Sequence, residues 1–150
     1  MKIRIIGIGS AIAGDDAVGL AVIRELSRMT LPNDVELVEA GTPGVSLLEL
    51  MVGAEKVILV DAFLGGDCPG KARKLKVTDL AKKNGRINSV HEIGVVETIR
   101  LAQDLIPEKL PSQIVIVGVE VSEQFGFGKG LSQEVKDALP EAVQMVMSEI

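Results

Sequence analysis

The pattern of apolar and polar positions along the chain alternates between short apolar segments and stretches with helical spacing. Apolar segments bounded by turn residues predict four strands, at residues 2–8, 35–39, 57–60 and 114–119. Residues 72–78 alternate loosely and predict a further, peripheral strand. Helical spacing predicts four helices, over residues 15–29, 45–54 and 91–105 and after residue 132. Strands that alternate with helices indicate an α/β fold with three layers, in which helices cover both faces of a mostly parallel, twisted sheet.

Local signals place the ends of these helices. Asp15 and Asp16 open the first helix, where the positive end of the helix dipole favours acidic residues. Thr42 is the expected N-cap of the second helix, and Ser132 is the expected N-cap of the last one. Pro140 should kink or divide that last helix. His91 is predicted to start the third helix, whose apolar residues are Ile93, Val96, Ile99, Leu101 and Leu105.

Composition limits the kind of protein. A chain of 150 residues with 47% hydrophobic and 25% charged residues is typical of one globular domain, here spanning residues 1–150. The net charge is -5 and the basic residues are scattered, which argues against nucleic acid as a partner. No apolar run reaches the roughly 20 residues that span a bilayer, so no membrane partner is expected. The single cysteine, Cys68, excludes an intrachain disulfide and suits the cytoplasm. We expect a monomer.

Residues with chemical potential follow the predicted strands. Asp15 and Asp16 come after the first strand, Glu39 ends the second, Asp61 ends the third, and His91 opens a later helix. The carboxyl ends of parallel strands form the edge at which ligands bind in such folds. Carboxylate oxygens with one imidazole suit a divalent transition metal, and neighbouring carboxylates can also do acid–base work. Each residue also has a structural interpretation, as a helix cap, a turn former or a structural histidine.

The first turn admits a rival interpretation as a dinucleotide-binding site. Gly7-Ile8-Gly9 after a strand is similar to the start of that fingerprint, and Glu39 lies where a ribose ligand would be. The third glycine is replaced by Ile12, whose side chain is expected to hinder close helix–strand packing. Asp15 and Asp16 also put negative charge where a pyrophosphate would bind the helix N-terminus.

Several motifs, in order along nearly the whole chain, resemble the hydrogenase maturation endopeptidases. The stretch from Gly7 to Gly19 resembles the family's opening motif, with Ser10 where the family usually has Asn. Residues 39–44 resemble its acidic-Gly-Gly-Thr-x-Gly turn, with Glu39 where Asp is usual. The remaining matches are the third strand with its terminal aspartate, the Ser-Pro-His helix start and the last strand, at residues 57–62, 89–91 and 116–120.

The resemblance implies a peptidase that removes the C-terminal extension of a [NiFe]-hydrogenase large-subunit precursor already loaded with nickel. It implies that Asp16, Asp61 and His91 bind the metal, which the precursor supplies and the free protein binds weakly. We assign the catalytic role to Asp16, Asp61 and Glu39. Two mechanisms stay open: the metal assists hydrolysis, or carboxylates do acid–base chemistry while the metal only anchors the substrate. The alternatives are a dinucleotide- or small-ligand-binding module without protease activity, a noncatalytic relative, and a protease for another substrate such as a spore protein.

Overall fold

A six-stranded sheet forms the centre of the part of the chain that the structure describes. This computed structural model describes residues 1–64, 68–77, 88–89, 94–122 and 128–150. The strands are β1 Ile3–Ile8, β2 Val35–Gly41, β3 Lys56–Leu64, β4 Ala72–Lys76, β5 Asn88–Ser89 and β6 Gln113–Glu120. Their order is β2-β1-β3-β6-β4, with β5 paired to β3. Strands β1, β2, β3 and β6 are parallel, and β4 and β5 are antiparallel to their neighbours. The predicted mostly parallel sheet is therefore confirmed.

Helices cover both faces of this sheet. They are α1 Val18–Ser27, α2 Leu47–Met51, α3 Val95–Leu105 and α4 Gln133–Met147. Helices α1 and α4 pack with Ile5, Ile58 and Val60 in one apolar core. Helices α2 and α3 pack with Ile6 and Leu59 in a second core on the opposite face. Successive strand residues point to opposite faces, so the central strands fill both cores and the three-layer prediction is confirmed. Among the described residues, no helix has the length and apolar character that crossing a membrane requires.

Strand β3 is longer than its apolar run, and this corrects the position of Asp61. The prediction ended the strand at Asp61 because the run of apolar residues stops there. The strand continues to Leu64 because Asp61 still pairs with Gly118 of β6, and Phe63 pairs with both β6 and β5. Asp61 is therefore a strand residue, and it is only 5% exposed.

The helix ends also differ in part from their predictions. Helix α1 begins at Val18, and the preceding residues Gly14–Ala17 form a 3-10 turn that contains both aspartates. Thr42 caps no helix, because a 3-10 turn over Gly44–Ser46 precedes α2 and neither element has a side-chain cap. Ser132 is the N-cap of α4, as predicted, and its Oγ accepts a hydrogen bond from Val135 N at 3.4 Å.

The interiors of the last two helices agree with their predictions only in part. Helix α4 is continuous through Pro140, so Pro140 does not divide the helix, whereas the predicted kink stays a prediction. Pro140 is exposed, so the carbonyl that loses its partner lies on the solvent side. The buried face of α3 consists of Val95, Thr98, Ile99 and Ala102. Leu101 and Leu105 are 38% and 64% exposed, because Leu101 lies to one side of that face and Leu105 is the last residue of the helix. Ile93 lies outside the described residues.

Candidate functional site

The 3-10 turn after β1 holds Asp16 at the carboxyl end of that strand. Gly9, with φ +141°, reverses the chain, and a Cβ at this position would lie 1.8 Å from the carbonyl oxygen of Asp16. Only glycine allows the turn to return so closely over the strand end. Ser10 N donates to Asp16 Oδ2 at 2.9 Å, and Asp16 is 6% exposed. The backbone of the first turn therefore fixes this carboxylate.

The neighbouring aspartate has a different partner. Asp15 is also 6% exposed, and its Oδ1 accepts a hydrogen bond from Ser132 N, at the start of α4, at 2.6 Å. Gly128 N donates to the carbonyl of Ile12 at 3.0 Å, so a second bond joins the same two loops. Neither aspartate makes a side-chain cap of its own helix. The interpretation of Asp15 as a local helix cap is therefore wrong, and Asp15 instead ties the first turn to α4.

Close packing at Gly19 brings the start of α1 against β1 and β3. A Cβ at Gly19 would lie 2.3 Å from Ile8 O and 2.4 Å from Val60 O. The expectation that Ile12 would hinder helix–strand packing was wrong, because Ile12 is 69% exposed and precedes the helix. Gly19 provides the close approach instead. The 3-10 turn that contains Asp16 contacts β3, the strand that carries Asp61.

Asp61 lies near the carboxyl end of β3, on the face covered by α2 and α3. Its Oδ1 accepts a hydrogen bond from the adjacent Ala62 N at 2.8 Å. Val57 and Leu59 of the same strand lie in the core beneath those two helices, and strand alternation places Asp61 on their side. The structure thus places Asp16 and Asp61 at the carboxyl ends of two adjacent parallel strands, as the sequence predicted.

The third predicted metal ligand, His91, lies outside the described residues, so the assignment of Asp16, Asp61 and His91 stays a prediction. Within the described part of the chain, no group of three or more histidine, cysteine or acidic side chains is arranged to hold a metal ion. The described part of the predicted ligand set is the pair of carboxylates Asp16 and Asp61. Carboxylate oxygens fit a divalent metal, although they do not select nickel by themselves.

Glu39 is placed differently from the two aspartates. It lies in β2, at the edge of the sheet, and its side chain is 44% exposed. Strand alternation puts it on the α1 face with Leu37, and Arg24 of α1 donates to Glu39 Oε1 at 2.9 Å. Exposed ion pairs of this kind contribute about 0–1 kcal/mol to stability. The structure therefore shows Glu39 in a surface ion pair, and its catalytic assignment stays a prediction.

Sequence reasoning missed a buried acidic residue at the same edge of the sheet. Glu120 ends β6 and is 0% exposed. Its Oε2 accepts a hydrogen bond from Cys68 N, and its Oε1 lies 3.7 Å from Arg73 Nη2 of β4. Glu120 follows an apolar strand, which is the same signal that drew attention to Asp61. The sequence interpretation counted it only as part of the last-strand motif.

The fold and the site define a class: three-layer α/β proteins with buried carboxylates at the carboxyl edge of a parallel sheet. The family model described as HycI, hydrogenase maturation protease, matches residues 20–149. Protein FrxA of Pyrococcus furiosus is 38% identical over 136 residues, covering 90% of this chain and 95% of that protein. A putative hydrogenase maturation protease of Methanocaldococcus jannaschii is 30% identical over 152 residues, covering 99% and 96%.

A solved structure agrees in fold. The hydrogenase maturating endopeptidase HybD from Escherichia coli superimposes with a TM-score of 0.82 at 24% identity, covering 99% of this chain and 91% of that chain. The chain belongs to the hydrogenase maturation protease family. The resemblance inferred from the sequence motifs is thereby confirmed, and the dinucleotide-binding alternative loses its support.

Proposed function

We propose that this chain is an endopeptidase that removes the C-terminal extension of a [NiFe]-hydrogenase large-subunit precursor. Membership in the hydrogenase maturation protease family supports the reaction and the substrate class. The observation that carries the proposal is the placement of Asp16 and Asp61 at the carboxyl ends of the adjacent strands β1 and β3. Both carboxylates are buried within that edge, where little water screens their charge, so they interact strongly with a cation or a reacting peptide.

In this proposal the nickel ion is part of the substrate, because the precursor carries it. Asp16 and Asp61 supply oxygen ligands to that ion, and His91 supplies a nitrogen ligand. These three ligands, which include no thiolate, bind nickel weakly in the free protein. Sharing the precursor's ion would hold the C-terminal tail against the carboxyl edge, which makes cleavage a nearly intramolecular step. Cleavage would then report that the precursor has received its metal.

The test compares three substrates under one set of conditions: nickel-loaded precursor, metal-free precursor and an isolated peptide that copies the tail. We expect cleavage of the loaded precursor alone, measured as the loss of the tail by mass spectrometry. Adding nickel to the protease should not make the tail peptide a substrate. Equal cleavage of all three substrates would show an ordinary peptidase and would contradict the metal-dependent proposal.

Variants test the proposed ligands. Asp16→Asn, Asp61→Asn and His91→Ala should each abolish cleavage while the protein stays folded. Asp34→Asn is the matched control, because Asp34 is half-exposed, precedes β2 at the opposite edge of the sheet, and pairs only with the N-terminal amine among the described groups. The control should cleave at the wild-type rate. Full activity in either aspartate variant would remove that residue from the site.

We also propose a setting for the reaction. A single cysteine fits the reducing cytoplasm, where precursors of this kind would be processed. We expect the protein to act as a monomer that binds the precursor only during cleavage. Sedimentation of the protein alone and with loaded precursor measures both points.

A further inference from the structure

Glu120 fixes a short segment of the chain that follows β3. This segment, Cys68–Lys71, is here called the strap. Cys68 N donates to Glu120 Oε2, and Gly70 N donates to the Glu120 carbonyl at 2.7 Å. Glu120 N in turn donates to the Lys71 carbonyl at 2.9 Å. One residue at the end of β6 therefore holds the strap by three hydrogen bonds, one of which depends on its side chain.

The burial of Glu120 indicates that this side-chain bond matters. Its side chain is 1% exposed, and among the described residues its Oε1 has no hydrogen bond. The nearest cation is Arg73, whose Nη2 lies 3.7 Å away, beyond ordinary hydrogen-bond distance. Burying an acidic side chain is costly unless it is paired and hydrogen-bonded. An apolar residue would fill this position at lower cost, but it could not accept the Cys68 N–H.

The strap connects Glu120 to the candidate site. Gly70 packs on the first turn of α4, because a Cβ at Gly70 would lie 2.8 Å from Glu134 O. Ser132, at the start of α4, donates to Asp15 beside Asp16. Contacts thus run from Glu120 through the strap and α4 to the 3-10 turn of the two aspartates.

Glu120 also lies on the same face of the sheet as Asp61. Glu120 pairs with Phe63, and Asp61 pairs with Gly118 two residues earlier in β6. Strand spacing and rise put the Cα atoms of Asp61 and Glu120 about 8 Å apart. The ring of Phe63 lies over Gly118, where a Cβ would be 2.6 Å from the ring. Within the described residues, no three acidic groups are arranged to hold a metal, so Glu120 does not extend Asp16 and Asp61 into a metal-binding cluster.

We propose that Glu120 is a positioning residue for the peptidase reaction. As a hydrogen-bond acceptor it fixes the strap, and the strap and α4 keep the Asp15–Asp16 turn aligned with Asp61. The catalytic part of this inference rests on the proposed function, whereas the anchoring of the strap does not. The role requires an acceptor oxygen rather than a charge, so glutamine can replace Glu120 and alanine cannot.

The experiment uses the full chain in three variants: Glu120→Ala, Glu120→Gln and Glu149→Gln. Glu149 pairs with Lys56 of β3 and with Lys74 of β4, and neither ion pair includes a strap residue, so the loss of Glu149 destabilises the fold without removing a strap contact. Amide hydrogen exchange at Cys68 and Gly70 measures the strap without any substrate. Cleavage of nickel-loaded precursor gives kcat and KM, and the melting temperature shows whether each variant is folded.

For Glu120→Ala we expect the rates of amide hydrogen exchange at Cys68 and Gly70 to rise by about tenfold. Cys68 N loses its acceptor, and Gly70 N, which bonds the backbone carbonyl of residue 120, lies in a strap that is no longer fixed at Cys68. We expect kcat to fall by about tenfold or more, with KM within about threefold of wild type, because misplaced site groups slow the chemical step. Glu120→Gln should match wild type within about threefold in every measurement. Glu149→Gln should lower only the melting temperature.

Two results would overturn the proposal. Unchanged exchange in folded Glu120→Ala would show that the side chain does not hold the strap. A loss of kcat in Glu120→Gln with a protected strap would show that the charge acts directly. If Glu120→Ala does not fold, Glu120→Gln decides alone, because the proposal requires its strap to be protected. If the wild type cleaves no precursor, the proposed function fails, and the exchange data still confirm or refute the anchoring.

Discussion

Replacing Gly19 by alanine tests the close packing that brings Asp16 and Asp61 to one edge. Gly19 lies in the first turn of α1, where helix propensity alone would make alanine more favourable by about 1 kcal/mol. The structure reverses this expectation. The new Cβ would lie 2.3 Å from Ile8 O and 2.4 Å from Val60 O, whereas ordinary contacts begin at 3.4 Å.

The size of the destabilisation follows from these two distances, since each is about 1 Å shorter than an ordinary contact with a backbone oxygen. Neither oxygen can rotate away, so α1 has to move off β1 and β3, at a cost near the upper end of the roughly 1–3 kcal/mol measured for overpacking. Subtracting the gain in helix propensity leaves a net destabilisation of about 2 kcal/mol. In a chain of this length, that lowers the melting temperature by about 4–8 °C.

The same displacement should reduce activity. Val60 directly precedes Asp61, and Asp16 lies one turn before Gly19, so moving the helix separates the two elements that carry the aspartates. A misplacement of about 1 Å can cost on the order of a hundredfold in rate. Thermal melts and cleavage of nickel-loaded precursor measure the two effects.

Ser27→Ala is the matched control for Gly19→Ala. Ser27 is exposed at the end of the same helix, so the substitution adds helix propensity without a clash. It should not lower the melting temperature by more than about 1 °C. An unchanged or raised melting temperature in Gly19→Ala would refute the packing argument.

Two further predictions concern stability. Asp15→Ala leaves the N–H of Ser132 without its acceptor and should lower the free energy of unfolding, measured in urea, by about 1–3 kcal/mol. Asp15→Asn keeps an acceptor oxygen and should lower it by less. Equal losses in the two variants would contradict this reasoning. Hydrogen bonds from Lys56 and then Lys74 hold the pKa of Glu149 below its usual value of 4.5. The carboxylate therefore stabilises the fold above about pH 4.5 and loses this contribution as the pH falls through the lowered pKa. Accordingly, the melting temperatures of wild type and Glu149→Gln should differ at pH 7 and converge on acidification. A constant difference down to pH 3 would contradict the assigned role of the Glu149 carboxylate.

Much of the fold could be predicted because β1 and β3 lie in the middle of the sheet. Their apolar residues serve two cores at once, so the runs are nearly continuous and easy to recognise. The end of β3 could not be predicted from hydrophobicity, since Asp61 interrupts the run while backbone pairing with β6 continues. The buried face of α3 could not be predicted from its apolar residues, because Leu101 and Leu105 are apolar but exposed and the buried face includes Thr98, whose Oγ1 donates to Gly94 O.

The placement of the candidate site residues was predictable to the extent that position along a strand implies position in space. Asp16 and Asp61 follow from the rule that ligands bind at the carboxyl edge. The same rule included Glu39, but it does not show to which face of the sheet the Glu39 side chain points. The ion pair with Arg24 depends on how α1 packs against the edge strand β2, and sequence spacing does not predict that packing. Glu120 satisfies the rule equally well, but its hydrogen bond to the strap joins residues 52 positions apart. Such a contact has no local sequence signal.

The two adjacent aspartates cannot substitute for each other. In a 3-10 turn each residue advances about 120° around the axis, so consecutive side chains point in well-separated directions. Asp15 is accordingly directed to Ser132 of α4, and Asp16 to Ser10 at the end of β1. The turn can therefore present only one of these two carboxylates at the end of β1, while the other joins the turn to the helix behind it. A negative charge at position 15 cannot replace a lost charge at position 16, because the direction of the side chain, and not the charge of the turn, determines which of the two can serve the site.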